Sequence, residues 1–297
     1  MMVQMLVDGV VAASFITLGV VGLSMVYNIL NFPTFAQGDH IATGGYIALG
    51  LVALMGTAGS IAGLSFGWPL ILALVCAAVL NGVVALALDR AIFSRLRRQN
   101  ASRISLIMAS FGVALMLRHL IIVFAGHEPH YFSFAIQPAL DFGGVRITRN
   151  ELVAVAVTTA LVIGLHLFLS CTWLGKSMRA VSENPSLAKV NGIDVNRVIL
   201  WTWVISAGLA AVAGVLLGVV VQIHPFMGFE LLLPMFAALI VGGMTSIYGA
   251  VLGALLIGLA EGITVQYLVP EYRQAVSFIV VILVLMVRPN GILGEKA

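Results

Sequence analysis

The side chains in this sequence that are able to do chemistry are few, and their spacing makes no catalytic set. His127-Glu128-Pro129-His130 places two histidines three apart across a proline. Zinc held on a helix by the HExxH pattern needs them four apart on one uninterrupted face, so neither spacing nor backbone suits it. No Gly-x-x-x-x-Gly-Lys-Ser/Thr run is present to cradle nucleotide phosphates. Cys76 and Cys171 lie within or at the end of apolar runs, in no pair motif or metal spacing, and read as packing residues. Arg118 and His119 interrupt another apolar run. An arginine at membrane depth is a functional candidate by default, with a solute carboxylate as one conceivable partner. Here it lies near the outer end of its run, and the expectation is that it snorkels outward or contacts a neighbouring helix. His166 reads as a hydrogen-bonded packing residue, and Glu261 as a group that only reaches the headgroups.

What remains is neutral binding chemistry. Two polar stretches break the hydrophobic pattern: NILNFPTFAQGDHIATGG, beginning at Asn28, and GGMTSIYG, beginning at Gly242. Interrupted segments in the two halves of a membrane protein point to a transport pathway. Unwound backbone at that depth is tolerated only where it lines a cavity or is buried in protein. Asn31, Gln37, Thr245 and Ser246 would there present uncharged donors and acceptors to a polar solute. For the first stretch the alternative is a simple loop in water, with Asp39 and His40 solvated.

These residues are set in a chain whose composition fixes its solvent. Charged residues are 9% and hydrophobic residues 61%, against roughly 25% charged in soluble domains, so the chain is a polytopic integral membrane protein. The sequence pI near 9.1 reflects cations gathered in a few loops, as topology demands, and does not indicate nucleic acid. The first eight residues hold no Lys or Arg, so the first apolar run lacks a signal-peptide flank and is expected to stay as a helix. Runs at 9–30, 41–58, 69–88, 104–125, 152–171, 198–221 and 275–287 are candidate spans for a bilayer that takes about 20 residues per crossing. The stretch 231–267 is too long for one span and is cut at Gly242-Gly243 and 246–249. It divides into a short segment, 231–241, and a fuller helix, 250–266. The expected fold is all-α, one transmembrane domain over residues 1–297 with roughly eight spans, one of them broken or partial. Small residues recur at fourfold spacing for close helix contact: Gly214 and Gly218, Gly249 and Gly253, Gly258 and Gly262, with Ala250 and Ala254.

Positive charge orients the bundle. Arg90, Arg95, Arg97, Arg98 and Arg103 share one loop, Lys176, Arg179, Lys189 and Arg197 another, and Arg288 and Lys296 flank the C-terminus. These sites share one side only if 231–267 crosses twice. That side is expected to be cytoplasmic, with the N-terminus outside and 127–150 as a long external loop.

The second of these loops, GKSMRAVSENPSLAKVNGIDVNR over 175–197, is long enough to fold. Residues 176–183 read as one short helix. Asn184 caps a second, with Pro185 at its first position, where a missing N–H costs nothing. Gly192 closes that helix in a left-handed conformation. Two short helices on the cytoplasmic face form a docking element, against the plainer reading of a solvated loop.

NFPTFAQGDHIATGGYIAL, GKSMRAVSENPSLAKVNGIDVNRV, GGMTSIYGAVLGALLIGLAE and the terminal VRPNGILGE together resemble the LivH-type permease of branched-chain amino acid ABC transporters, in order and spacing from Gly9 to Gly294. Pro33-Thr34 departs from the family's commoner Asn-Phe-Ala-His-Gly run. The resemblance implies an inner-membrane permease of a bacterial importer that is not itself an enzyme and binds no cofactor. It implies a LivM-like second permease, two cytoplasmic LivG/LivF-like ATPases that use ATP, and an extracytoplasmic amino-acid-binding protein. It also implies that 175–197 holds the coupling helices, with Gly175, Arg179, Ala180, Glu183, Asn184, Pro185, Ala188, Gly192 and Ile193 in contact with an ATPase. Leucine, isoleucine and valine are the default solutes; relatives carry amides, urea or aromatic acids. A stand-alone secondary carrier of amino acids is the alternative, but the spans hold no paired acids and such a carrier needs no docking loop.

Overall fold

Apolar runs with no water to satisfy their backbone must satisfy it internally, and helices do so within one segment. The computed structural model describes residues 2–56, 65–132, 138–142, 145–267, 272–288 and 290–293. Its helices are α1 (Met2–Leu30), α2 (Ala36–Met55), α3 (Trp68–Leu88), α4 (Ser94–Arg98), α5 (Arg103–Ala125), α6 (Arg149–Cys171), α7 (Trp173–Glu183), α8 (Pro185–Val190), α9 (Val195–Val220), α10 (Met227–Gly242), α11 (Ile247–Tyr267) and α12 (Arg273–Val287). A π-helical turn, Asp89–Phe93, joins α3 to α4 without a break. Strands β1 (Leu140–Phe142) and β2 (Val145–Ile147) pair antiparallel, with Leu140 opposite Ile147.

Seven helices of the described residues are long and apolar enough to cross a membrane: α1, α2, α3 with its extension, α5, α6, α9 and α11. The stretch expected to break does so, into α10 and α11 on either side of 243–246. Its second piece is a full span, whereas 275–287, read as a clear span, belongs to a shorter apolar helix of 15 residues. The difference arises because apolar content marks a run as buried in lipid or protein but does not set its length.

Helix α1 has 89% of its most apolar stretch buried within the protein and α6 only 17%. So α1 lies at the centre, packed against α11 and α9, while α2 packs on α9 and α10 on α11. Helices α3, α5, α6 and α12 lie outside them. The small residues make the central contacts. A Cβ on Gly258 would stand 2.6 Å from the Cα of Ala13, and one on Gly262 would stand 2.7 Å from the Cα of Gly9. At one end of the bundle Gln4 Nε2 donates to Arg146 O of the hairpin at 2.9 Å, and His130 pairs with Ile223. At the other, Ile292 N donates to Val241 O at 2.9 Å and Leu293 N to Gly242 O at 3.0 Å, fastening residues 292–293 to the C-terminus of α10. Helices α7 and α8 also lie at this second end, where Met178, Arg179, Ser182 and Glu183 share a cleft with Leu293.

Candidate functional site

The segment between α6 and α9 is built by local hydrogen bonds. Thr172 Oγ1 accepts from Gly175 N at 3.1 Å and starts α7. Asn184 Oδ1 accepts from Leu187 N at 3.0 Å and starts α8, with Pro185 at its first position. Gly192 sits at φ +81°, its N–H donating to Lys189 O, while Ile193 N donates to Ala188 O. This paired closure is the Schellman arrangement, and it needs a residue that accepts positive φ. Asp194 then accepts from Asn196 N and Arg197 N and starts α9. Each punctuation mark anticipated in the sequence stands where expected, and α7 begins three residues earlier than 176. The pair is anchored on one side and bare on the other. Gly175, Met178, Val181 and Ala188 are buried, Ala180 and Ile193 half-buried, and Arg179, Glu183, Asn184 and Pro185 exposed. Leu187 and Val190, at 59% and 85% exposure, put apolar side chains on the free face of α8. The sequence reading missed these two, although leucine and valine inside a polar island were a visible signal.

Helix α7 also forms a wall of a cleft of about 790 Å³. The other walls are the last turns of α1, the second half of α6 and the start of α11. Asn28, Asn31, Ser170, Thr245, Ser246 and Tyr248 contribute neutral polar groups, and Val21, Met25 and Leu165 an apolar floor. Three of the four residues expected to meet a solute, Asn31, Thr245 and Ser246, are therefore brought together, although Asn31 and Ser246 are more than 200 positions apart in sequence. Ser246 is also structural, since its Oγ accepts from Gly249 N at 3.0 Å. Arg179 and Glu183 enter the same cleft from α7.

Gln37 is elsewhere. It is 1% exposed, with Nε2 donating to Gly19 O at 3.4 Å and Ser206 O at 3.3 Å. Gly19 and Ser206 lie midway along α1 and α9, so α2 begins at half the height of the bundle. Residues 31–35 return from the end of α1 to that level without helical structure, and Phe32, Thr34 and Ala36 are fully buried. The interrupted backbone is thus buried in protein at Phe32 and Thr34 and lines the cleft at Asn31, the two conditions under which it persists at this depth.

Neither Asp39 nor His40 is solvated, which corrects the simple-loop alternative. His40 Nδ1 donates to Asn81 Oδ1 at 3.1 Å, and Asn81 Nδ2 donates to His40 O at 3.0 Å and Ala207 O at 2.7 Å. Asp39 is 0% exposed, and both its oxygens accept from Arg118, from Nε at 3.0 Å and from Nη2 at 3.1 Å. The guanidinium also lies 4.6 Å from the ring centre of Phe229 and 5.6 Å from that of Phe226. Arg118 therefore makes the interhelical contact and does not snorkel, because a carboxylate 79 positions away meets it bidentately. Glu261 does not reach headgroups either. It is 6% exposed and accepts from Ser277 Oγ of α12 at 3.0 Å. His166 is hydrogen-bonded as expected, to Tyr248, but stands at the cleft and not in the core.

Residues 5–285 match the family described as branched-chain amino acid transport system, permease component. The chain is 33% identical to the high-affinity branched-chain amino acid transport system permease protein LivH of Escherichia coli K12, over 98% of this chain and 95% of the relative. It is 32% identical to the permease protein BraD of Pseudomonas aeruginosa, again over 98% and 95%. Among solved structures it resembles PsaBC from Streptococcus pneumoniae in complex with Fab, with a TM-score of 0.50 at 16% identity, covering 97% of this chain and 91% of that one. That likeness is one of fold. The sequence relatives are permease components of larger transport systems, which favours a subunit over a stand-alone carrier.

Proposed function

The chain belongs to the family of branched-chain amino acid transport system permease components, and on that premise we propose how this member works. It is one of two permeases of an importer in a bacterial plasma membrane and carries leucine, isoleucine, valine or related small polar solutes. A LivM-like permease completes the pathway, two LivG/LivF-like ATPases on the cytoplasmic side use ATP, and an extracytoplasmic binding protein delivers the solute. The N-terminus is outside, and the C-terminus lies with α7–α8 on the cytoplasmic side, where the arginine-rich turn also falls.

One observation carries the reading: α7–α8 is a capped helix pair whose second helix bears exposed Leu187 and Val190 and whose first helix walls the polar cleft. Apolar side chains on an otherwise polar tip fit a groove on a partner protein. Gly175, Arg179, Ala180, Glu183, Asn184, Pro185, Ala188, Gly192 and Ile193 form the docking element together with that tip. Asn31, Thr245 and Ser246 line the cytoplasmic end of the solute path, and Gln37 supports it from the core. Displacement of α7 by an ATPase moves a wall of the cleft directly. Each ligand biases the two states only by its difference in affinity for them, so solute selection rests mainly with the binding protein.

Extraction in mild detergent from the native membrane, followed by mass spectrometry of the companions, tests the assembly. Two P-loop ATPases and a second permease are expected. A lone protein that transports amino acids when reconstituted by itself would overturn the reading.

A further inference from the structure

The cleft lies between two units that are each internally braced. The first is α6 with α7. Their junction is tight, because a Cβ on Gly175 would run into the backbone of Leu169, and Met178 and Val181 of α7 are buried. The second is the elbow of α10 and α11. Gly242 and Gly249 approach backbone to backbone, Ser246 caps the start of α11, and the segment at Ile292 and Leu293 is hydrogen-bonded to the end of α10. Both units rest on α1, whose Val21 and Met25 form the floor between them.

Across the gap runs a hydrogen bond between His166 Nδ1 of α6 and Tyr248 Oη of α11, 2.7 Å long. The rings meet edge to face with centroids 5.5 Å apart. Both residues line the cleft and both are exposed, Tyr248 at 55%. Neither packs in the core, and neither is needed to build its own helix. A contact of this kind contributes little to the fold but joins two rigid parts at the edge of an opening.

We propose that the His166–Tyr248 contact is a latch, closed in this state, that holds α6–α7 against the α10–α11 elbow and restricts the mouth of the cleft. Its transport role rests on the reading of the cleft as the cytoplasmic end of the solute path. The latch joins two parts of the pathway wall, and its position on α6 puts it one short helical run from the docking element. Movement of α7 pulls on α6 and opens it. Because one net hydrogen bond is at stake, its removal shifts the ratio of closed to open states by roughly fivefold.

The test uses the assembled transporter in lipid nanodiscs, with Cys76→Ala and Cys171→Ser removing this chain's two native thiols and Ser170→Cys placing a reporter thiol in the cleft, the same complex without Ser170→Cys giving the background. Its labelling rate by a charged maleimide reports opening. Tyr248→Phe keeps the ring and loses the hydroxyl; it is expected to speed labelling about fivefold. His166→Ala is expected to do the same, and the double variant to add nothing further, as for two partners in one contact. Unchanged labelling in Tyr248→Phe, or effects that multiply in the double variant, would overturn the latch. Solute uptake by the same variants separates the two claims. Faster labelling with altered uptake supports both the latch and the path. Faster labelling with wild-type uptake supports the latch and removes the cleft from the solute path.

Discussion

The α7–α8 pair and the start of α2 are both polar interruptions in an apolar chain, and they are held in opposite ways. In α7–α8 each tie spans only a few residues: Asn184 to Leu187, Gly192 to Lys189, Asp194 to Arg197. At the start of α2 the side chains of Gln37, His40 and Asp39 reach other helices: Gln37 to Ser206, His40 to Asn81, Asp39 to Arg118. The first region is wet on its free face, where an unmet polar group is solvated at little cost. The second is buried, with Gln37 and His40 at 1% and Asp39 at 0% exposure, and there an unmet polar group carries a large penalty. A region of the first kind can move as a unit and dock. One of the second kind fixes where helices stand.

The largest effect is expected at the ion pair. Arg118→Met leaves Asp39 buried without a counter-charge and is expected to cost about 3–5 kcal/mol. The expected observation is loss of folded protein on size exclusion in detergent. Arg118→Met combined with Asp39→Leu removes both charges and is expected to recover most of the yield. A stable single variant would show that the pair fixes nothing.

The same contrast sets what was legible in the sequence. The α7–α8 segment was readable because its signals are local: a capping residue, a proline at the first position and a glycine at the end specify backbone geometry over a few residues. The cut in 231–267 was readable for the same reason, from Gly242-Gly243. Asn31, Thr245 and Ser246 come together at one cleft because interrupted segments gather where helices end. The Asp39–Arg118 pair was not readable, since nothing local says that a charge 79 positions away will be a neighbour. Gln37 was assigned with Asn31 by proximity in sequence, but residues 31–35 carry it from the end of the bundle to its middle. Exposure was the harder property: Asp39 and His40 fit a loop in water by type and are buried in protein.

A smaller effect is expected in the central packing. Gly258→Val would press its side chain into Ala13 of α1, and overpacking of this kind costs about 1–3 kcal/mol. A matching fall in thermal stability in detergent is expected; an unaltered unfolding temperature would mean that α1 and α11 can separate freely. Smaller still is Asn184→Ala, which removes the cap of α8 at about 1 kcal/mol. Because the ties there are local, amide exchange is expected to quicken at 186–190 while global unfolding stays in place. Loss of the whole fold from this change would erase the distinction between the two regions.

Leu187→Asp changes the free face of α8 alone. Its side chain is 59% exposed, so the permease is expected to fold and to elute normally while its yield of bound ATPase falls. Full ATPase binding by this variant would take the exposed tip of α8 out of the interface.

The most direct measurement of the central claim is solute uptake per ATP hydrolysed by the reconstituted full complex carrying Gly192→Pro. Gly192 stands at φ +81° and its N–H closes α8 onto Lys189 O; proline has neither that φ nor that N–H. If α7–α8 transmits ATPase motion to the cleft, the complex assembles and hydrolyses ATP, but uptake stimulated by the binding protein falls to background. Wild-type stimulated uptake per ATP would contradict the account.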